Sequence, residues 1–132
     1  MFGFGKKKAK EPKIESTEFV LLTAERKEEL QQTISIKKEE INHSTGEQQA
    51  KIYEEIGLAF YELGEEDNAI DSFEKSIQAK KSLGTAYKTL LKLYNKKRAE
   101  AAQANDEESL QLYLKKMDQM MQVSKEVTRG VF

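Results

Sequence analysis

Between Tyr53 and Ile77 the chain sets apolar residues at helical intervals on both sides of one glycine, and this pattern constrains the fold more than any other part of the sequence. Tyr53, Ile56 and Phe60 are three and four residues apart, so they form one stripe along a helix. Gly57 lies beside that stripe, where the missing side chain lets a second helix come close. Gly64 stands where a left-handed residue would end this helix, and Glu65, Glu66 and Asp67 follow as acidic residues suited to the positive N-terminal end of the next. Ala69, Phe73 and Ile77 then return at intervals of four, the small Ala at the closest approach and the large Phe filling the space beside it. The stretch predicts an antiparallel helical hairpin.

Taken together, Tyr53, Ile56, Gly57, Phe60, Gly64, Ala69 and Phe73 resemble the tetratricopeptide repeat (TPR), a helical hairpin whose stacked copies bind other proteins. The resemblance implies an all-α stack of antiparallel hairpins and a protein-interaction module or adaptor. A shift of 34 residues carries Tyr53 to Tyr87, Ile56 to Leu90 and Phe60 to Tyr94, so the first helix of a second unit is well matched. The match then fails, because Gly57, Gly64 and Ala69 become Leu91, Arg98 and Gln103. With strong helix formers from Lys97 to Ala104 and no glycine to stop it, this helix is expected to run on by about two turns. Asn105 followed by Glu108 reads as the cap of the next helix. Leu110, Leu114, Met117 and Met121 read as its core-facing stripe, which leaves Tyr113 and Met120 as an outward seam for a partner or a second copy. The repeat-like units thus fall at about 50–83 and, in divergent and extended form, at about 84–128.

Upstream, Phe19, Leu22, Leu30, Ile34 and Ile41 give a helical stripe over residues 18–42, interrupted by Arg26 and Lys37. The run Thr33-Ile34-Ser35-Ile36 alternates like a strand, but it is short and flanked by helix formers, so it reads as helix or a local kink. Thr45 with Gln48 forms a capping-box pattern ahead of the first unit. Repeat units cannot bury their faces alone, and the first helix is expected to lie over the exposed end of the stack. About five helices result, in a single domain over residues 17–132 behind a disordered basic tail at 1–16.

Composition narrows the function classes. Without cysteine and with His43 as the only histidine, thiol chemistry is absent and metal ligation would fall to carboxylates alone. Glu65-Glu66-Asp67 lacks the spacing and glycine of a calcium loop. His43 stands in a junction with no nucleophile or carboxylate motif around it, and it reads as a surface or capping residue. An enzyme is not expected, nor a cofactor, nor nucleic-acid binding, since two aromatics beside the basic tail do not make a stacking platform. No apolar run approaches the roughly 20 residues of a membrane span, the start lacks the order of a secretory signal, and the cytoplasm is the expected location.

The net charge of -1 hides a division along the chain. Residues 1–13 carry five lysines and one glutamate, residues 14–83 are strongly acidic, and residues 84–132 are again basic. Lys6, Lys7, Lys8 and Lys10 beside Phe2 and Phe4 leave open a weak contact with an anionic membrane. A structural or regulatory subunit, held at a membrane by this tail or self-assembling as a homo-oligomer through exposed helix ends, is the alternative to an adaptor.

The TPR resemblance implies a groove lined by the first helix of each unit. Here that face is Lys51, Glu54, Leu58 and Tyr61, then Thr85, Lys88, Lys92 and Asn95, with Lys96 extending the basic row. Each set advances by three or four residues and so shares one helix side. Some TPR proteins clamp the acidic tail of a chaperone with lysines, arginine and asparagines, but Glu54 and Leu58 occupy places where that clamp has a lysine and an asparagine. The expected ligand is instead another protein or peptide segment, acidic or amphipathic, laid between the basic row and Tyr61.

Overall fold

The computed structural model of the chain describes residues 22–130, which form five α-helices: α1 (Ala24–Ile41), α2 (Gly46–Glu62), α3 (Glu66–Ala79), α4 (Thr85–Gln103) and α5 (Glu107–Arg129). No strand occurs among the described residues, and Thr33 to Ile36 continue α1 without interruption. Phe19 and the lysine tail lie outside them.

The α2–α3 hairpin forms as its sequence dictates. Gly64 adopts φ +81, which closes α2 with the Gly64 amide on the Tyr61 carbonyl at 3.0 Å and the Glu65 amide on the Phe60 carbonyl at 2.9 Å. Glu66 and Asp67 then occupy the first turn of α3. Across the hairpin Phe73 is fully buried beside Gly57, where an added Cβ would meet the ring at 2.7 Å. The buried Ser76 hydroxyl donates to the Ala50 carbonyl at 2.7 Å further along, which fixes the antiparallel register.

The α4–α5 turn repeats this geometry 41 residues later, not 34, so the end of α4 runs seven residues, about two turns, past where a 34-residue repeat would stop it. The Asn105 amide bonds the Ala102 carbonyl at 3.2 Å and the Asp106 amide the Ala101 carbonyl at 2.9 Å. Asn105, at φ +57, therefore does what Gly64 does and ends α4. It is not the cap of α5. Asp106 is: its carboxylate accepts from the Ser109 amide at 3.1 Å and from the Ser109 hydroxyl at 2.8 Å. The capping box at Thr45 is likewise corrected. Thr45 is the N-cap residue of α2 but makes no side-chain cap bond, because the chain enters the helix through a left-handed Gly46, φ +57.

Two clusters hold the helices together. Leu30 and Ile34 of α1 pack on Ile52, Ile56 and Ala59 of α2, so α1 covers the open side of the first hairpin. Ala69, Ile70, Phe73 and Ile77 of α3, with Ala86, Leu90, Leu93 and Tyr94 of α4 and Met120 of α5, form the central core. The face of α5 is rotated from the expected one, with Met117 in the packing as expected but Tyr113 and Met120 inward and Leu114 and Met121 outward. Met120 is 4% exposed, with Tyr113, Met117 and Val123 packed around it, whereas Leu114 and Met121 are 43% and 58% exposed. The contacts of α4 and α3 decide this. The Tyr87 hydroxyl donates to the Met120 carbonyl at 3.2 Å, and the Tyr113 and Tyr94 rings meet at 6.1 Å between centroids. Lys116 on the same face reaches the Glu74 carboxylate at 2.9 Å, and that carboxylate also accepts from the Tyr94 hydroxyl. Burial first, and then this bond to Glu74, raise the Tyr94 phenol far above its ordinary value, so it stays a donor tying α3 and α5 to α4.

Candidate functional site

The predicted groove residues are carried on the same sides of α2 and α4, but only part of the set meets at one place. Tyr61 near the end of α2 and Lys92 and Lys96 of α4 line a cleft of about 670 Å³, together with Leu22 and Lys27 from the start of α1, Leu63 and Gly64 from the α2–α3 turn, and Glu66. Lys51, Glu54 and Leu58 lie on α2, and Thr85, Lys88 and Asn95 on α4, away from the lining of this cleft. Leu58 is partly exposed, and Asn95 accepts from the Arg98 guanidinium at 3.1 Å.

The cleft exists because the α2–α3 turn is short. Gly64 folds the chain back so that Glu66, the first residue of α3, sits beside the middle of α4, while the start of α1 runs alongside the end of α2. The Arg26 guanidinium holds the Glu62 carboxylate with two bonds of 2.8 and 2.9 Å, one to each oxygen. That pairing, its hydrogen bonds foremost, keeps the Glu62 carboxyl below the usual glutamate range. Glu66 is bonded by Lys96 and approached by Lys97 at 3.8 Å. The bond to Glu66 raises the Lys96 ammonium above its ordinary value.

Both carboxylates at the cleft are thus already matched by cations of the fold. Lys27 on the α1 side and Lys92 on the α4 side have no ion-pair partner among the described residues. The Tyr61 ring and the apolar Leu22, Leu63 and buried Leu93 line the same cleft. The arrangement offers two positive charges from different helices beside an apolar lining, suited to carboxylates spaced along an extended or helical segment.

Lys27 was not legible as a site residue. It lies one turn into α1, behind the Thr23 cap whose hydroxyl accepts from the Arg26 amide at 3.0 Å, and no sequence spacing relates it to α4. Lys96, by contrast, belongs to the predicted row yet is engaged by Glu66. His43 is exposed in the α1–α2 turn, its amide on the Glu40 carbonyl at 3.0 Å. Among the described residues no group of three or more His, Asp or Glu side chains is placed to hold a metal ion, and no helix is long and apolar enough to cross a membrane. Lys6, Lys7, Lys8 and Lys10, the expected membrane contacts, lie outside the described residues.

The chain matches no protein-family model, and neither a curated protein nor a solved structure is found to be similar to it.

Proposed function

We propose that this protein is an interaction module of TPR-like design that binds an acidic peptide segment of another protein in the cleft between α1, α2 and α4. The observation that carries the reading is the charge arrangement: Glu62 and Glu66 are matched within the fold by Arg26, Lys96 and Lys97, which leaves Lys27 of α1 and Lys92 of α4 available in the cleft lining. Tyr61 supplies an amphipathic anchor at the centre, a ring for apolar contact and a hydroxyl for hydrogen bonding. The resemblance of residues 53–76 to the TPR supports the same assignment, because in that family the first helices of successive units form the binding groove.

The test is fluorescence anisotropy with a labelled peptide that alternates acidic residues with leucine. The double reversal Lys27→Glu with Lys92→Glu is expected to weaken binding by at least about tenfold, because it adds repulsion as well as removing attraction. Lys96 is left untouched, since a carboxylate there would face Glu66 and disturb the fold. Lys88→Glu, on α4 but outside the cleft lining, is the control and is expected to change affinity by less than about threefold. Equal losses in the control and the double variant would mean that the peptide senses only the general charge of α4. Loss on reversing Lys6, Lys7, Lys8 and Lys10, with the cleft variant unaffected, would move the function to the N-terminal tail.

A further inference from the structure

Beside its core-facing side α5 carries a second apolar line. Leu110, Leu114, Met117 and Met121 follow each other at intervals of four, three and four, the spacing of a two-helix seam. Leu114 and Met121 are 43% and 58% exposed, and the line extends about 16 Å along the helix. It is centred roughly 100° around α5 from Met120, so Leu114 and Met121 stay uncovered, while the partly buried Met117 borders both the core face and this line. Leu112, also exposed, is on a different side and takes no part.

We infer that α5 is a self-pairing surface, on which a second copy of this chain lays its own α5 antiparallel to the first. Charge selects both the occupant and the direction. The helix begins with Asp106, Glu107 and Glu108 and ends with Lys125 and Arg129. Antiparallel pairing across a two-fold axis sets Leu114 beside the partner copy's Met117, Leu110 beside its Met121, and Glu107 near its Lys125, twice over. It also opposes the two helix dipoles. Parallel pairing would bring acidic start against acidic start. Glu107 is engaged only by the Gln111 amide, at 2.9 Å, and Lys125 has no ion-pair partner among the described residues, so both are available. Open-ended stacking of α5 on the α1 of another copy finds no match, because Ile36 is the only large apolar side chain that α1 exposes strongly among the described residues. A two-fold pair closes on itself and leaves the peptide cleft on the other side of α4 unobstructed.

Sedimentation velocity from micromolar to near-millimolar protein tests this, with circular dichroism to confirm that each variant keeps its helicity. The native chain should approach twice the monomer mass as concentration rises. Leu114→Lys with Met121→Lys should remain monomeric throughout, and both side chains are exposed enough for the fold to tolerate the change. Lys125→Glu should weaken the dimer by about tenfold, and adding Glu107→Lys to it should restore the native constant, since the swap re-pairs opposite charges only in the antiparallel arrangement. A native chain that stays monomeric, a dimer that survives the Leu114 and Met121 changes, or a charge swap that fails to restore association would each overturn the inference. So would a chain that remains monomeric but binds anionic vesicles through Leu114 and Met121.

Discussion

Phe73→Ala is expected to destabilise the protein by about 3–5 kcal/mol and to lower its melting temperature by on the order of 12–20 °C. Phe73 is fully buried, and it is the side chain that links the two faces of α3. Its ring lies against Gly57 of α2 on one side and belongs to the central core with Leu90 and Leu93 of α4 on the other. Removing the ring opens a cavity that neither neighbour can fill, because Gly57 has no side chain and Leu90 is held by its own contacts. A loss of this size is a large fraction of the total stability of a domain of this length, about 5–15 kcal/mol. Chemical denaturation of both proteins measures it. A loss below about 1 kcal/mol would mean that Phe73 is not the centre of the packing.

The second large effect comes from the same contact approached from the other side. Gly57→Leu should destabilise by about 1–3 kcal/mol even though leucine is the better helix former by close to 1 kcal/mol. The first carbon of any side chain at this position meets two ring carbons of Phe73 at 2.7 Å and a third at 3.0 Å, and the ring is enclosed and cannot retreat. Overpacking therefore outweighs propensity. Glu47→Gln on the exposed first turn of α2 is the control and should stay within about 0.5 kcal/mol of the native protein. A double-mutant cycle sharpens the test, because Gly57→Ala should be better tolerated in a Phe73→Leu background than alone, with a coupling of about 0.5–3 kcal/mol. Additive effects would show that the two positions do not touch.

These contacts were legible because they are local and because glycine has few reasons to sit inside a helix. Gly57 and Gly64 announced a close approach and a stop, and the structure uses both in those roles. The divergent second unit was harder to read. The run of its first helix two turns past the 34-residue repeat followed from helix propensity, but Asn105 reads equally as a cap or as a left-handed terminator, and only the backbone bonds of the turn decide. The face of α5 was misread for a related reason. Tyr113, Met117, Met120 and Val123 are interrupted by Lys116, which makes the true core face look polar, while Leu110, Leu114, Met117 and Met121 look cleaner. Lys116 is tolerated there because its ammonium lies over the Tyr94 ring, 5.7 Å from the centroid, and reaches Glu74 across the helices, a partner 42 residues away that no local pattern predicts. The same limit applies to the cleft. Periodicity placed Tyr61, Lys92 and Lys96 on common helix sides, but the pairing of Lys96 with Glu66 and the arrival of Lys27 from α1 are long-range facts of packing.

The most direct measurement of the proposed function is a titration of the isotope-labelled 132-residue chain with the acidic, leucine-containing peptide, followed residue by residue through backbone amide chemical shifts. With the peptide bound in the cleft, the largest changes fall on Lys27, on Tyr61 to Gly64 and on Lys92, saturating together with one affinity, while Leu114 and Met121 on the exposed face of α5 stay in place. Changes confined to residues 1–13, or spread evenly over every lysine without saturation, would contradict binding in the cleft.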